Sequence, residues 1–171
     1  LDELERLVNN FRAIRARRRD SNDMASVVLY ALFSTRRLGE ICRLQWDHID
    51  GDRVMVVDMK NPAGSAGNNV WCRLTPEAVQ IIERMPRISE RVFNCNEDAA
   101  SAAFTRACKV LGIDGLVFHS LRHEGISRLF EMGWSIPQVA AVPGHQSWAM
   151  LQRYTHLKQT GDKHEGWLSK L

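Results

Sequence analysis

Residues 117–130, VFHSLRHEGISRLF, combine helical spacing with side chains capable of chemistry, and they decide what kind of domain this chain forms. His119 is three positions before Arg122 and four before His123, so these side chains share one face of a helix predicted over 119–132. Two histidines at this spacing are able to hold zinc, and they also serve to cap or pack a helix. The segment by itself leaves both interpretations open.

Further helices are predicted before this segment. Residues 24–34, MASVVLYALFS, are apolar nearly all round, which predicts a buried central helix, and residues 38–46 continue as a helix after a turn at 34–35. A polar linker, RARRRDSND at 15–23, separates the central helix from an amphipathic first helix. The apolar residues that recur at helical spacing in that first helix are Leu4, Leu7, Val8, Phe11 and Ile14.

The pattern changes to β-structure after Asp50. The β-branched and aromatic stretches RVMVVDMK (53–60) and NVWCRL (69–74) are joined by NPAGSAGN, which predicts a hairpin with a long Gly-Ser tip. The predicted fold class is α+β, mostly helical, with one domain over residues 1–171 and a small antiparallel sheet. The later predicted helices begin after the caps Thr75, Asn96 and Ser135, with Gly112 ending the second, and a last helix is predicted near 147–154.

The composition is that of a soluble globular domain. Of the 171 residues 44% are hydrophobic and 25% are charged, and no apolar run approaches the ~20 residues of a membrane span. No secretory signal is recognisable and the four cysteines form no C-x-x-C pair, so we expect buried thiols, a cytoplasmic location and no membrane partner. The net charge of +3 includes arginines crowded over 12–19, which form either a solvated helix face or a surface facing phosphate.

Four further residues have side chains suited to binding or attacking a phosphate, and a carboxylate lies near one of them. Arg37 begins a predicted helix and Glu40 lies one turn later. Lys60 ends the first hairpin strand, and Tyr154 follows His145 by nine positions. Each of these is unremarkable alone, and it is their order along the chain, together with the helix at 119–132, that indicates a common site.

This order resembles the tyrosine recombinases, the phage integrase family, from about residue 2 to about residue 158. The family's first box, of the T-G-x-R-x-x-E type, is similar to residues 34–40, and its H-x-L-R-H box matches residues 119–123 without a gap. Its L-G-H and Y-x-H elements resemble residues 143–145 and 154–156, and its hairpin lysine falls on Lys60.

The sequence departs from the family pattern in its turns. Thr35 stands where the family has glycine, and Pro143 stands where it has leucine. Arg36 makes a double arginine in the first box, and the spacing to Glu40 selects Arg37 as the counterpart of the family's arginine.

The resemblance implies a metal-independent phosphoryl transfer without a cofactor. Guanidinium groups suit a phosphodiester because they stay protonated and donate paired hydrogen bonds. The family pattern implies that Tyr154 attacks phosphorus, that Lys60 protonates the departing 5′ oxygen, and that His119 accepts a proton or orients the phosphate. Nearby cations are expected to lower the pKa of Tyr154. The residues expected to be catalytic are Arg37, Lys60, His119, Arg122, His145 and Tyr154, with Glu40 and His123 supporting them.

The resemblance also implies partners. It predicts a site-specific DNA recombinase or integrase that binds double-stranded DNA as a tetramer, passes through a Holliday junction and is a monomer when free. The family places a helical core-binding domain before the catalytic one, and nothing in this chain matches it, so we expect the catalytic part alone. The tail at 155–171 either docks on a neighbouring protomer or packs on its own domain. The alternatives are a type IB topoisomerase, a non-catalytic DNA-binding remnant of the fold, and a zinc enzyme built on His119 and His123.

Overall fold

The computed structural model describes residues 2–19, 22–57, 68–144 and 148–171. Two predicted site residues, Lys60 and His145, lie outside these ranges, as does the hairpin tip. The helices are α1 Asp2–Arg17, α2 Met24–Ser34, α3 Leu38–Arg43, α4 Pro76–Arg84, α5 Glu97–Leu111, α6 Ser120–Glu131 and α7 Ile136–Ala141. The strands are β1 Ile49–Asp50, β2 Arg53–Val56 and β3 Val70–Arg73, and short 3-10 turns are Trp46–His48, Trp148–Met150, Gln152–Tyr154 and Trp167–Lys170. The predicted α+β, mostly helical class is confirmed.

Helix α2 forms the centre of the core. Every residue from Met24 to Ser34 is buried, as its apolar composition predicts, and the helix packs against α1, α4 and α6. Asp23 starts the helix by accepting a hydrogen bond from the backbone N–H of Ser26, and Thr35 ends it in the left-handed conformation. The segment that carries Arg37 therefore follows directly after the buried helix α2.

The first helix differs from its prediction at its C-terminal end. Leu7 and Phe11 are buried as predicted, but Ile14 is 39% exposed and faces a groove between α1 and α5. The helix continues to Arg17, so the first part of the predicted linker is helical. Arginine is a good helix former and suits the negative end of the helix dipole, which explains the extension.

The sheet is antiparallel with the order β1-β2-β3. Val54 pairs with Cys72 in register and both face the core, whereas Arg53 and Trp71 face outward. Strand β1 was missed by the sequence analysis because two residues are too short to show alternation. The predicted helix at 38–46 ends at Arg43, because the next residue turns to extended backbone.

The predicted caps of the later helices are confirmed. Thr75 accepts a hydrogen bond from the backbone N–H of Ala78, and Asn96 accepts one from that of Ala99. Gly112 ends α5 with φ at 63°, a conformation that favours glycine. These signals act within one turn of the chain, which is why the sequence was sufficient to read them.

The predicted helix near 147–154 is wrong. The described part of that segment forms two 3-10 turns, with the backbone N–H of Tyr154 bonded to the carbonyl of Leu151. Leu151 and Tyr154 are buried in a second, smaller core with residues of α6 and α7, including Phe130 and Val139. Packing of these side chains, rather than helical periodicity, sets the backbone here.

The C-terminal segment packs on its own domain. Arg128, 1% exposed in α6, donates to both carboxylate oxygens of Asp162 at 2.7 Å and also to Glu77. His164 is buried beside Glu124, and Trp167 joins the main core. Exchange of this tail between protomers stays a prediction.

None of the helices in the described residues is both long and apolar enough to cross a membrane.

Candidate active site

Arg37 and Glu40 are held together at the start of α3. The backbone N–H of Arg37 donates to one carboxylate oxygen of Glu40 at 3.1 Å, and its guanidinium donates to the other at 3.2 Å. This N–H has no partner within the helix, so the carboxylate both caps α3 and orients the arginine. The neighbouring positive charge of Arg36 and the hydrogen bond from Arg37 lower the pKa of Glu40 although burial opposes them. Glu40 therefore stays ionised and holds the Arg37 side chain in place. A supporting role for Glu40 in catalysis stays a prediction.

Arg36 and Arg37 line a common cavity, but Arg36 is almost fully buried whereas Arg37 is partly exposed. The Arg36 guanidinium is 3% exposed and donates to the backbone carbonyls of Ser34 and Val142. It also lies 3.7 Å from Glu40. The side chain of Arg37 is 34% exposed, which supports the choice of Arg37 over Arg36 as the arginine able to reach a ligand.

Arg122 is buried where α6 meets the end of α2. Its Nη1 donates to the carbonyl of Thr35 at 2.6 Å, and Thr35 has φ at 57°. Burial lowers the pKa of Arg122 to about 10, the charges of Arg36 and Arg37 add to this effect, and Glu40 opposes it. A guanidinium remains protonated at neutral pH under these conditions, so the site concentrates positive charge that an anionic ligand would stabilise.

Close contact between α6 and α2 depends on Gly125. A Cβ at this position would lie 2.1 Å from the backbone carbonyl oxygen of Leu32. The absence of a side chain lets the two helices approach closely one turn after Arg122. This contact fixes the depth at which the Arg122 guanidinium sits.

A cavity of about 310 Å³ joins the predicted residues of α3 and α6. Arg37, His119 and Arg122 all line it, so side chains from segments 80 residues apart and more lie around one cavity. The opposite wall carries Glu97 and Asp98 from the first turn of α5. The cavity is large enough for a phosphate group beside the two arginines.

His119 and His123 stand next to each other on α6. Their rings are 4.9 Å apart and nearly perpendicular. Burial lowers the pKa of both imidazoles below 6.5, with Arg122 and Arg153 adding to the effect in each case. Both rings are therefore neutral at neutral pH and each has one nitrogen able to accept a proton.

The Tyr154 hydroxyl lies 2.5 Å from Nδ1 of His123. The phenol ring stacks on Phe130 and is 8% exposed, and the guanidinium of Arg153 lies 5.5 Å from the ring centre. Burial raises the pKa of Tyr154, and the charges of Arg153 and Arg122 only partly oppose it. The expectation that cations lower this pKa is wrong for this arrangement, because desolvation of the phenolate outweighs their attraction.

The sequence analysis gave His119 the role of accepting a proton or orienting the phosphate, whereas the structure places the phenol hydroxyl against His123. It also missed Arg153, whose only sequence signal is that it directly precedes the predicted nucleophile. The zinc interpretation gains no support, because the described ranges contain no cluster of three potential metal ligands. Positions of Lys60 and His145 stay predictions.

Comparison with known proteins identifies the family of this fold and site. The model of the phage integrase family matches residues 1–160. The chain belongs to the phage integrase family. One relative in it, the shufflon-specific DNA recombinase of Escherichia coli, is 38% identical over 143 residues, which cover 82% of this chain. The match covers 36% of that relative, so this chain spans about a third of its length.

Solved structures of the phage integrase family share the fold. The catalytic domain of bacteriophage HP1 integrase has a TM-score of 0.66 and 21% identity, and the match covers 92% of this chain and 85% of that one. Lambda integrase, solved as a tetramer bound to a Holliday junction, has a TM-score of 0.64 and 19% identity over 95% of this chain and 48% of that one. These likenesses show that the chain has the same fold as these two integrases.

Proposed function

We propose that this chain is the catalytic domain of a site-specific DNA recombinase that cleaves and rejoins strands through a 3′-phosphotyrosine. One observation carries the proposal: the Tyr154 hydroxyl contacts α6, the helix whose first turns also carry His119 and Arg122, and Arg37 lines the same cavity as these two residues. A nucleophile, a proton acceptor and two fixed cations are the parts that metal-free phosphoryl transfer needs.

The two arginines would bind the scissile phosphate. Each guanidinium can donate paired hydrogen bonds to non-bridging oxygens, and both stay charged during the reaction. Arg122 is held by the Thr35 carbonyl and Arg37 by Glu40, so little reorganisation is required when charge develops at phosphorus. Loss of one such preorganised donor typically costs ~3–4 kcal/mol of barrier, roughly a hundredfold to a thousandfold in rate.

Tyr154 would attack phosphorus after its proton passes to a neighbouring imidazole. His123 is in hydrogen-bonding contact with the hydroxyl and is neutral, so it is the acceptor that this arrangement favours, with His119 beside it. When a phosphodiester is bound, Arg122 would contact it and stabilise the negative charge that develops at phosphorus. The Tyr154 oxygen forms a bond to phosphorus as the bond to the 5′ oxygen breaks.

The leaving 5′ oxygen requires a proton, which we assign to Lys60, and a further hydrogen bond to the phosphate, which we assign to His145. Both assignments rest on the family pattern at residues 60 and 143–145. The phosphotyrosine keeps the energy of the phosphodiester, so a free 5′-hydroxyl can reseal the strand without ATP. The same chemistry run in reverse onto another strand gives recombination.

Double-stranded DNA is the proposed substrate, with four copies acting together. Support comes from the lambda integrase tetramer on a Holliday junction, whose fold this chain shares, and from the recombinase identity of the shufflon relative. The positive charge of +3 and the exposed arginines of α1 suit a polyanionic partner.

A nicked duplex that releases a short fragment after cleavage tests the proposal, because release traps the covalent product. Wild-type protein should give a protein–DNA adduct that survives denaturation, and Tyr154→Phe should give none. The chain has two tyrosines, and the side chain of Tyr30 in α2 is fully buried, so it is not accessible to a DNA strand. Tyr30→Phe is therefore the matched control and should keep the adduct. An adduct in the Tyr154→Phe protein would show that the nucleophile is misassigned.

Companion variants separate binding from chemistry. Arg37→Ala and Arg122→Ala should reduce cleavage far more than DNA binding, and a chelator should leave wild-type cleavage unchanged. Lys60→Ala should be rescued by a substrate with a better 5′ leaving group. Absence of rescue would remove Lys60 from its assigned role.

A further inference from the structure

Two cysteines far apart in the sequence are in contact behind α3. The Sγ atoms of Cys42 and Cys95 are 2.7 Å apart, and 53 positions separate the two residues. Cys42 belongs to the last turn of α3, and Cys95 precedes the cap of α5. Both are free thiols with 5% or less of their surface exposed.

The surrounding backbone supports this close approach. A Cβ on Gly39 in α3 would meet the carboxylate of Glu97 in α5 at 2.7 Å, so the two helices lie close together beside the sulfur pair. The segment that carries Cys95 lies near α3 through the backbone bond from Val92 to the carbonyl of Leu44. This backbone hydrogen bond holds the segment of Cys95 next to the end of α3 in the folded chain.

The two thiols are chemically unequal. Either sulfur can donate the hydrogen bond between the two residues. With Cys42 as the donor, this bond lowers the pKa of Cys95, and the positive charge of Arg91 acts in the same direction although burial opposes both. The same bond and burial raise the pKa of Cys42. Cys95 is therefore the sulfur more readily converted to a thiolate, which is the form that attacks oxidants.

We propose that Cys42 and Cys95 form an intramolecular disulfide when the protein is exposed to hydrogen peroxide. The Cys95 thiolate attacks one peroxide oxygen, the O–O bond breaks, and the second oxygen leaves as hydroxide that takes up a proton to become water. The Cys42 sulfur then displaces water from the Cys95 sulfenic acid and loses its proton. Overall, two thiols and one peroxide give one disulfide and two waters.

The bond would tie α3 to the start of α5. Arg37 and Glu40 belong to the first turn of α3, so the link restrains the helix that orients the candidate phosphate-binding arginine. It also closes a loop of more than fifty residues, which restricts the unfolded chain and raises the unfolding temperature. The modification itself does not depend on the proposed recombinase function.

The test uses the reduced full chain, treated with hydrogen peroxide and then unfolded in an alkylating reagent. The number of thiols that can be alkylated should fall from four to two. Before alkylation, the mass of the oxidised chain should be lower than that of the reduced chain by two hydrogen atoms. A peptide map should show Cys42 linked to Cys95. Dithiothreitol should restore all four. Cys108→Ser, which removes a buried cysteine of α5, is the matched control and should keep the link.

Variants of the pair identify the attacking sulfur. In Cys42→Ser a sulfenic acid should accumulate at Cys95 and react with dimedone, whereas Cys95→Ser should show far less trapping at Cys42. Recovery of Cys42 and Cys95 in alkylated form from oxidised wild-type protein would overturn the proposal. So would a link to a different cysteine, or a sulfinic acid at Cys95 with Cys42 free. The wild-type peptide map decides the matter even where a serine variant does not fold.

Discussion

The hydroxyl of Tyr154 lies 2.5 Å from Nδ1 of His123. This contact joins the candidate nucleophile to the helix that carries Arg122, so the phenol and this buried arginine are held by the same helix. In this arrangement the phenol is buried and protonated, because burial raises its pKa. Activation therefore requires a proton acceptor in contact with the hydroxyl, which is the position of His123.

His123→Gln should slow DNA cleavage by about 10²- to 10⁴-fold, the usual contribution of a positioned acid–base group. The pKa of His123 is lowered below 6.5, so the neutral acceptor form is present above that value and is lost as pH falls through the lowered pKa. The wild-type rate should therefore decline on the acid side with a midpoint below pH 6.5. Single-turnover cleavage measured across this pH range checks the effect.

His119→Gln is the companion variant, since its ring lies beside that of His123 but its imidazole is more exposed. If His123→Gln keeps the acid limb unchanged and His119→Gln removes it, the proton acceptor is His119 instead.

Glu124→Gln should reduce the acid sensitivity of folding. A hydrogen bond from His164, followed by one from Lys163, lowers the pKa of Glu124 to about 2. A lowered carboxyl pKa stabilises the fold fully above the ordinary value of 4.5, and this stabilisation is lost as pH falls towards 2. Because a third of the Glu124 side chain is exposed, solvent screening reduces the contribution to roughly 1–2 kcal/mol.

Urea unfolding at pH values between 4.5 and 2 measures this contribution. The exposed Glu83, replaced by Gln, is the control that should behave like wild type. Equal losses of unfolding free energy on acidification in wild type and Glu124→Gln would contradict the expected role of the Glu124–His164 pair.

Gly125→Ala should destabilise the fold by about 3 kcal/mol or more, because the new methyl group would overlap the backbone carbonyl of Leu32. Gly39→Ala is the matched control in another helix. Its Cβ would meet only the carboxylate end of Glu97, which can move, so the better helix propensity of alanine should leave stability equal or higher. Denaturant unfolding of both variants gives the comparison, and similar losses in the two would refute the role of Gly125.

Thr35→Gly should be more stable than Thr35→Ala by about 1 kcal/mol, since a φ of 57° places the Cβ of any L-residue too near the following carbonyl. Both changes remove the same hydroxyl and methyl groups. The difference in stability between the two variants therefore measures the cost of holding a residue with a Cβ in the left-handed conformation. Equal midpoints of thermal unfolding would mean that the backbone at 35 does not keep its left-handed conformation.

Several features of the fold were readable from short stretches of sequence. The caps Thr75 and Asn96 and the terminating Gly112 act within one turn, and the apolar run of α2 required burial wherever the helix was placed. The sequence-based prediction of secondary structure is wrong where side-chain packing overrides the local sequence pattern. Residues 148–154 belong to a segment predicted as a helix but fold as 3-10 turns, because Leu151 and Tyr154 pack into the second core.

The sequence by itself determined the family pattern, the identity of the candidate residues and the choice of Arg37 over Arg36, because motif spacing is a property of the chain. Only the tertiary structure decided that Tyr154 contacts His123 rather than His119, that the phenol has a raised pKa, and that Cys42 meets Cys95. Each of these depends on distance and desolvation between segments far apart in sequence, and packing alone sets both quantities.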